Sequence, residues 1–93
     1  MDLKKRYKDF KINRDEPVFT IGVVSRLMKI PVWTLKKLDK ANIVSPKRRE
    51  GNDRLYSKKN LNQLNYFWKL MKNKNVKIAG LKVIKEMKEK DEK

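Results

Sequence analysis

The 93-residue chain contains neither cysteine nor histidine. Those two absences exclude disulfides, thiol redox chemistry, thiolate or imidazole metal ligands, and every catalytic scheme built on a cysteine or histidine. Acidic side chains are scarce too. Between Pro17 and Gly80 only Asp39, Glu50 and Asp53 stand against 15 lysines and arginines. With three glycines in all, no glycine-rich phosphate loop accompanies them, so general acid–base and phosphotransfer chemistry lack a constellation. The chain reads as no enzyme, with no cofactor and no metal. The charged start Met1-Asp2-Leu3-Lys4-Lys5-Arg6-Tyr7-Lys8 is followed by no apolar run, and no stretch approaches the ~20 apolar residues of a spanning helix. A cytoplasmic protein without a signal peptide or membrane span is expected.

What the chain has in excess is positive charge: 26 lysines and arginines against 11 acidic residues, a formal net charge of +15. After Gly80 five lysines meet four acids, so the excess sits in the body rather than in a detachable tail. Such a field attracts polyanions, and nucleic acid is the commonest of these in a cell. At this length, with 39% hydrophobic and 40% charged residues, one domain with a small core is the limit.

Residues 1–16 are mostly charged and read as a flexible basic arm, with a short docking helix through Tyr7 and Phe10 as the alternative. Pro17 opens a domain running to residue 88. Val18-Phe19-Thr20 is a short extended entry, and Thr20 caps a helix over 21–28 whose apolar face is Ile21, Val24, Leu27 and Met28. Lys29-Ile30-Pro31 turns the chain. A second helix, 31–41, buries Leu35 and Leu38 together with Val32. Asn42 supplies its left-handed cap, and Ile43-Val44 returns to the core.

Ser45 to Ser57 reads as a basic two-stranded hairpin, because Gly51-Asn52-Asp53 tolerates the left-handed backbone of a tight turn. Ser57 caps a third helix reaching about Asn73, with Leu61, Leu64, Trp68 and Met71 in one stripe widened by Phe67. Ile78, Leu81, Ile84 and Met87 mark a fourth, ending near Met87. Residues 89–93 are expected to fray.

A short helix pair beside a cationic hairpin is the layout of a winged helix-turn-helix, a mainly α fold of about four helices and a two-stranded β wing that reads duplex DNA. The second helix is then the recognition helix. Trp33, Thr34, Lys36 and Lys37 lie off its apolar stripe, although Trp33 serves equally well as a core residue against the first helix. Lys47, Arg48, Arg49 and Arg54 of the hairpin suit phosphate, which positions a protein without reading sequence. Tyr56 packs at the hairpin base with its hydroxyl free to reach phosphate. Lys58, with Lys59, opposes the dipole of the third helix, which a phosphate facing that helix start would explain.

From Phe19 to Met87 the chain resembles the DNA-binding domain of the MerR family of bacterial transcription regulators. Phe19-Thr20-Ile21-Gly22-Val23-Val24 is similar to its opening helix, Thr34-Leu35-Lys36 to its Thr-Leu-Arg recognition helix, Ile43-Val44-Ser45-Pro46-Lys47-Arg48 to the approach to its wing, and Arg54-Leu55-Tyr56-Ser57 to the exit. Asn75-Val76-Lys77-Ile78-Ala79-Gly80-Leu81-Lys82 resembles the heat-shock repressor branch, HspR. The resemblance implies sequence-specific binding of double-stranded DNA and transcription regulation as a repressor of chaperone genes at an inverted repeat, with the chaperone as a candidate co-repressor. It places Lys36 at the recognition-helix arginine, and Arg48 and Arg54 at wing positions that meet the backbone.

Departures from the family pattern are Leu38 where a tyrosine that helps hold the DNA is usual, Lys37 for another tyrosine or glutamine, and Trp33 for a polar residue. The long pairing helix of the family has no counterpart after Met87, so a homodimer is expected to use a surface other than a coiled coil, such as exposed parts of the last two helices. Two alternatives stay open: an architectural or excisionase-like DNA-binding protein, and a basic RNA-binding protein.

Overall fold

Thr20 stops the entering strand and starts the first helix, its hydroxyl accepting from the Val23 N–H at 3.4 Å. The computed structural model describes residues 12–91, with side chains through residue 90; most of the expected basic arm, residues 1–11, lies outside the described residues. The elements in chain order are β1 (Phe19–Thr20), α1 (Ile21–Met28), α2 (Val32–Lys40), β2 (Lys47–Arg48), β3 (Arg54–Tyr56), α3 (Lys58–Asn73) and α4 (Ile78–Asp91). This is the mainly helical winged helix-turn-helix that the sequence predicts.

Helix α1 ends at Lys29, which adopts the left-handed conformation (φ 56°), and the hydroxyl of Ser25 donates to the Ile30 carbonyl at 2.6 Å. The Ile30 N–H donates back to the Ser25 carbonyl at 3.2 Å, and the two bonds close the turn before Pro31 opens α2, whose first hydrogen-bonded N–H groups, on Thr34 and Leu35, donate to the Pro31 carbonyl. Asn42 takes the left-handed position after α2 (φ 57°), and the N–H groups of Ile43 and Val44 donate to Leu38. Both residues then enter the core, as their apolar character predicts.

The wing is larger than a hairpin. Strand β3 lies between β1 and β2, all antiparallel, with Phe19 opposite Tyr56, Thr20 opposite Leu55 and Arg48 opposite Arg54. Gly51 (φ 83°) and Asn52 (φ 71°) turn the chain between β2 and β3, and the Arg49 N–H donates to Asp53 at 3.0 Å across the turn. The entry segment therefore serves as a third strand and ties the wing to the start of α1.

Helix α3 begins with a reciprocal capping box: the Asn60 N–H donates to the Ser57 hydroxyl at 3.1 Å, and the Ser57 N–H to the Asn60 side chain at 2.9 Å. Its C-terminus closes with Asn75 left-handed (φ 58°) and the N–H groups of Lys74 and Val76 both donating to Leu70. Val24, Ile30, Leu35, Leu38, Ile43, Val44, Tyr56, Leu64, Phe67 and Leu81 form one buried cluster drawn from all four helices and β3.

One helix boundary and the side chains of Leu27 and Val32 differ from expectation, Leu27 being 40% exposed although its spacing assigns it to the apolar face of the first helix. Helix α4 continues through Asp91 rather than stopping near Met87, because Lys, Glu and Met are good helix formers and Lys85 pairs with Glu89 one turn on (3.9 Å). The described part of the expected frayed tail is thus helical. Val32 is 36% exposed instead of buried, since it lies about a quarter turn around the helix from the centre of the buried stripe.

Candidate nucleic-acid interface

At 100° per residue, Thr34, Leu35, Leu38 and Asp39 cover one side of α2, and all four are buried. Trp33, Lys36, Lys37 and Lys40 fall on the side diametrically opposite, and all four are exposed. Of the two readings open for Trp33, the surface one holds: its side chain is 63% exposed, and the Lys37 ammonium lies 5.0 Å from its ring centroid. Lys40 extends this face by one turn from Lys36. Sequence reasoning passed over it, although its i+4 spacing from Lys36 was the available signal.

Thr34 does not join this face. At 2% exposure it is part of the packing between helices, so its place among the candidate contact residues is corrected. Tyr56 is corrected on the same ground: its side chain sits inside the apolar core cluster and is completely buried, and its hydroxyl finds no hydrogen-bond partner among the described residues. Burial first, and the Asp39 carboxylate second, push its pKa up to about 12, with Arg54 and Arg48 acting in the opposite direction.

The wing presents Lys47, Arg48 and Arg49 as exposed residues beyond α2. Arg49 also lies 4.0 Å from Asp53, a surface contact of little energetic weight. Arg54 is held differently. Its Nε donates to Oδ2 of Asp39 at 2.7 Å, and the side chain is only 17% exposed. Nη2 of Arg48 donates to the same carboxylate oxygen at 2.6 Å while its side chain stays 38% exposed. One oxygen on α2 thereby touches both wing strands.

Asp39 is the residue that sequence reasoning missed, since it enters there only as one of three acids without catalytic company. Two signals pointed to it: it lies four residues after Leu35, on the buried stripe, and it is the lone acid of a helix otherwise rich in lysine. Lys58 is partly buried in the first turn of α3. The expected phosphate seat at that helix start is filled from within, because Ser57 takes the Asn60 N–H and the Arg14 carbonyl takes the Lys59 N–H at 3.1 Å. Lys58 and Lys59 can still bring charge, but the backbone N–H groups of Lys59 and Asn60 are already used.

The comparisons with known proteins agree with this geometry. A family model described as "MerR HTH family regulatory protein" matches residues 19–90. The chain is 30% identical over 83 residues to a Streptomyces coelicolor protein named as heat shock protein HspR, an alignment covering 89% of this chain and 55% of that protein. It is 33% identical over 76 residues to the HTH-type transcriptional regulator GlnR of Bacillus anthracis, covering 82% of this chain and 58% of GlnR, and GlnR of Bacillus cereus matches to the same extent. The chain thus spans little more than half the length of these curated relatives. Among the described residues, no helix is long and apolar enough to cross a membrane.

Proposed function

Because the chain belongs to the MerR HTH family of regulatory proteins, we propose that it binds double-stranded DNA at a specific sequence and regulates transcription as a repressor. The observation that carries this reading is the open face of α2, where Trp33, Lys36, Lys37 and Lys40 stand opposite a buried stripe. A helix of that width enters the major groove, where base edges carry a distinguishable pattern of donors and acceptors. Lys36 and Lys37 reach those edges, and Trp33 adds apolar contact. Lys47, Arg49 and the exposed part of Arg48 take backbone phosphates, which fixes register without reading sequence.

The likeness to HspR supports a heat-shock repressor, and with it a chaperone as co-repressor. A homodimer is supported by Val83 and Met87, exposed four residues apart on one face of α4. A regulator of this kind works in the cytoplasm on the nucleoid.

Selection from a random duplex library, followed by footprinting with the full chain, tests the reading. One enriched motif is expected. No enrichment, with bending of every duplex bound, would replace it with an architectural role. Lys36→Ala should cost about 1–3 kcal/mol on the selected duplex and much less on random duplex, whereas Arg49→Ala should weaken all duplexes alike and lower the salt slope by about one. Equal losses on both duplexes for Lys36→Ala would mean that α2 does not read bases.

A further inference from the structure

The three charges at the joint between α2 and the wing do not serve alike. Asp39 is buried, its side chain 8% exposed, and its Oδ2 accepts from Arg48 at 2.6 Å and from Arg54 at 2.7 Å. Those arginines lie opposite each other across the β2–β3 ladder, so one carboxylate fixes both strands of the wing relative to the recognition helix. Arg48 also donates from Nη1 to the Asn52 carbonyl at the wing tip, 3.4 Å away, and its side chain stays 38% exposed. Arg54, three-quarters or more covered, acts as a strut. The trio carries a net charge of +1, where two unrestrained arginines would carry +2.

We propose that Asp39 is a positioning residue for DNA binding: it aims Arg48 and holds the wing at a fixed offset from α2, and it withholds one unit of positive charge from the phosphate backbone. This rests on the reading of α2 and the wing as the DNA-binding surface. Its consequence runs against the usual result of breaking an ion pair. Non-specific affinity comes almost entirely from neutralised phosphates, so discharging Asp39 strengthens binding to random duplex while the loosened wing weakens binding to the specific one. Asp39 sets the ratio of the two.

The test measures affinity of the full-length chain for the selected duplex and for a random duplex of equal length, between 50 and 200 mM salt. Asp39→Asn keeps the shape and one acceptor oxygen but loses the charge. It should bind random duplex more tightly than the parent at 50 mM, with a salt slope steeper by about one, so that its advantage changes about three- to fourfold across that range. Its preference for the selected duplex should fall about tenfold, within the range of a single lost base contact. Asp39→Glu keeps the charge but lengthens the strut. It should keep the parental salt slope and random-duplex affinity while losing preference.

A purely structural Asp39 predicts instead that both affinities fall together in Asp39→Asn, in proportion to the fraction unfolded by circular dichroism, with no change of slope. That outcome overturns the proposal. If Asp39→Asn does not fold, Asp39→Glu decides, and unchanged preference there overturns it as well. A parent chain that prefers no duplex would instead sink the proposed function, a result distinct from variants that retain the parent's preference.

Discussion

Helix α2 and the wing lie side by side on the proposed binding surface, yet they are held in place by different forces. Helix α2 buries Leu35 and Leu38 completely, so its position is fixed by the same apolar packing that folds the domain. The wing consists of strands two and three residues long whose hairpin side chains are mostly exposed. Hydrogen bonds to β1 and one shared carboxylate hold it. The two regions join at Asp39, and Tyr56 is the wing residue that enters the core. Helix α2 is therefore anchored by the core itself, while the wing tip depends on hydrogen bonds and one ion-pair cluster.

The difference breaks down if a core residue of α2 proves dispensable. Leu35→Ala should lower stability by about 2–5 kcal/mol in urea denaturation, because the packed surroundings collapse only in part around the cavity. A loss below about 1 kcal/mol would mean that α2 is not anchored by its apolar stripe. For a domain of this size, the expected loss is a large share of the whole.

A smaller effect sharpens the boundary between the regions. The Tyr56 hydroxyl is buried without a hydrogen-bond partner among the described residues, and its pKa is raised from 10.0 to about 12. An acid whose folded pKa lies above its unfolded value binds its proton more tightly when folded. Its contribution is fully present below pH 10 and is lost as pH rises through about 12, because the unfolded chain ionises first. Over that window the parent should lose about 2–3 kcal/mol more than Tyr56→Phe, which has no proton to release. At neutral pH the two should differ by less than about 1 kcal/mol, since phenylalanine removes an unpaired polar atom from the core. Parallel alkaline denaturation curves would show that the hydroxyl reaches water and that the wing base is open.

Much of the fold was legible because its signals are local. Leu35 and Leu38, and the run from Leu61 to Met71, mark helix faces by spacing alone, while Gly51-Asn52, Asn42 and Ser57 mark a turn, a stop and a start. The exposed face of α2 was legible where charge and spacing coincide, at Trp33, Lys36 and Lys37. What escaped depends on partners distant in sequence. Asp39 finds its arginines nine and fifteen residues later, across a hairpin whose register no single strand specifies. The Tyr56 hydroxyl reads as free to reach phosphate because the strand beside it, β1, arrives 37 positions earlier, at Phe19, and the core around it comes from distant helices. Thr34 is small and polar, so nothing in the apolar pattern assigns it to the interior.

The smallest expected change in stability tests the open side of α2 against its closed side. Trp33 is large and apolar, a residue type that folded proteins usually cover, yet it stands 63% exposed with the Lys37 ammonium over its ring. Truncating it removes little packing, so Trp33→Ala should alter stability by no more than about 0.5 kcal/mol, in contrast to Leu35→Ala two positions on. The same substitution should weaken binding to the selected duplex, because the apolar surface left open in the free protein is then covered by DNA. Denaturation and duplex titration of the one variant check both halves. If Trp33→Ala instead destabilised the protein by about 2 kcal/mol with DNA affinity unchanged, Trp33 would belong to the packing of the helix pair and the face read as a groove-entering surface would be reduced to its lysines.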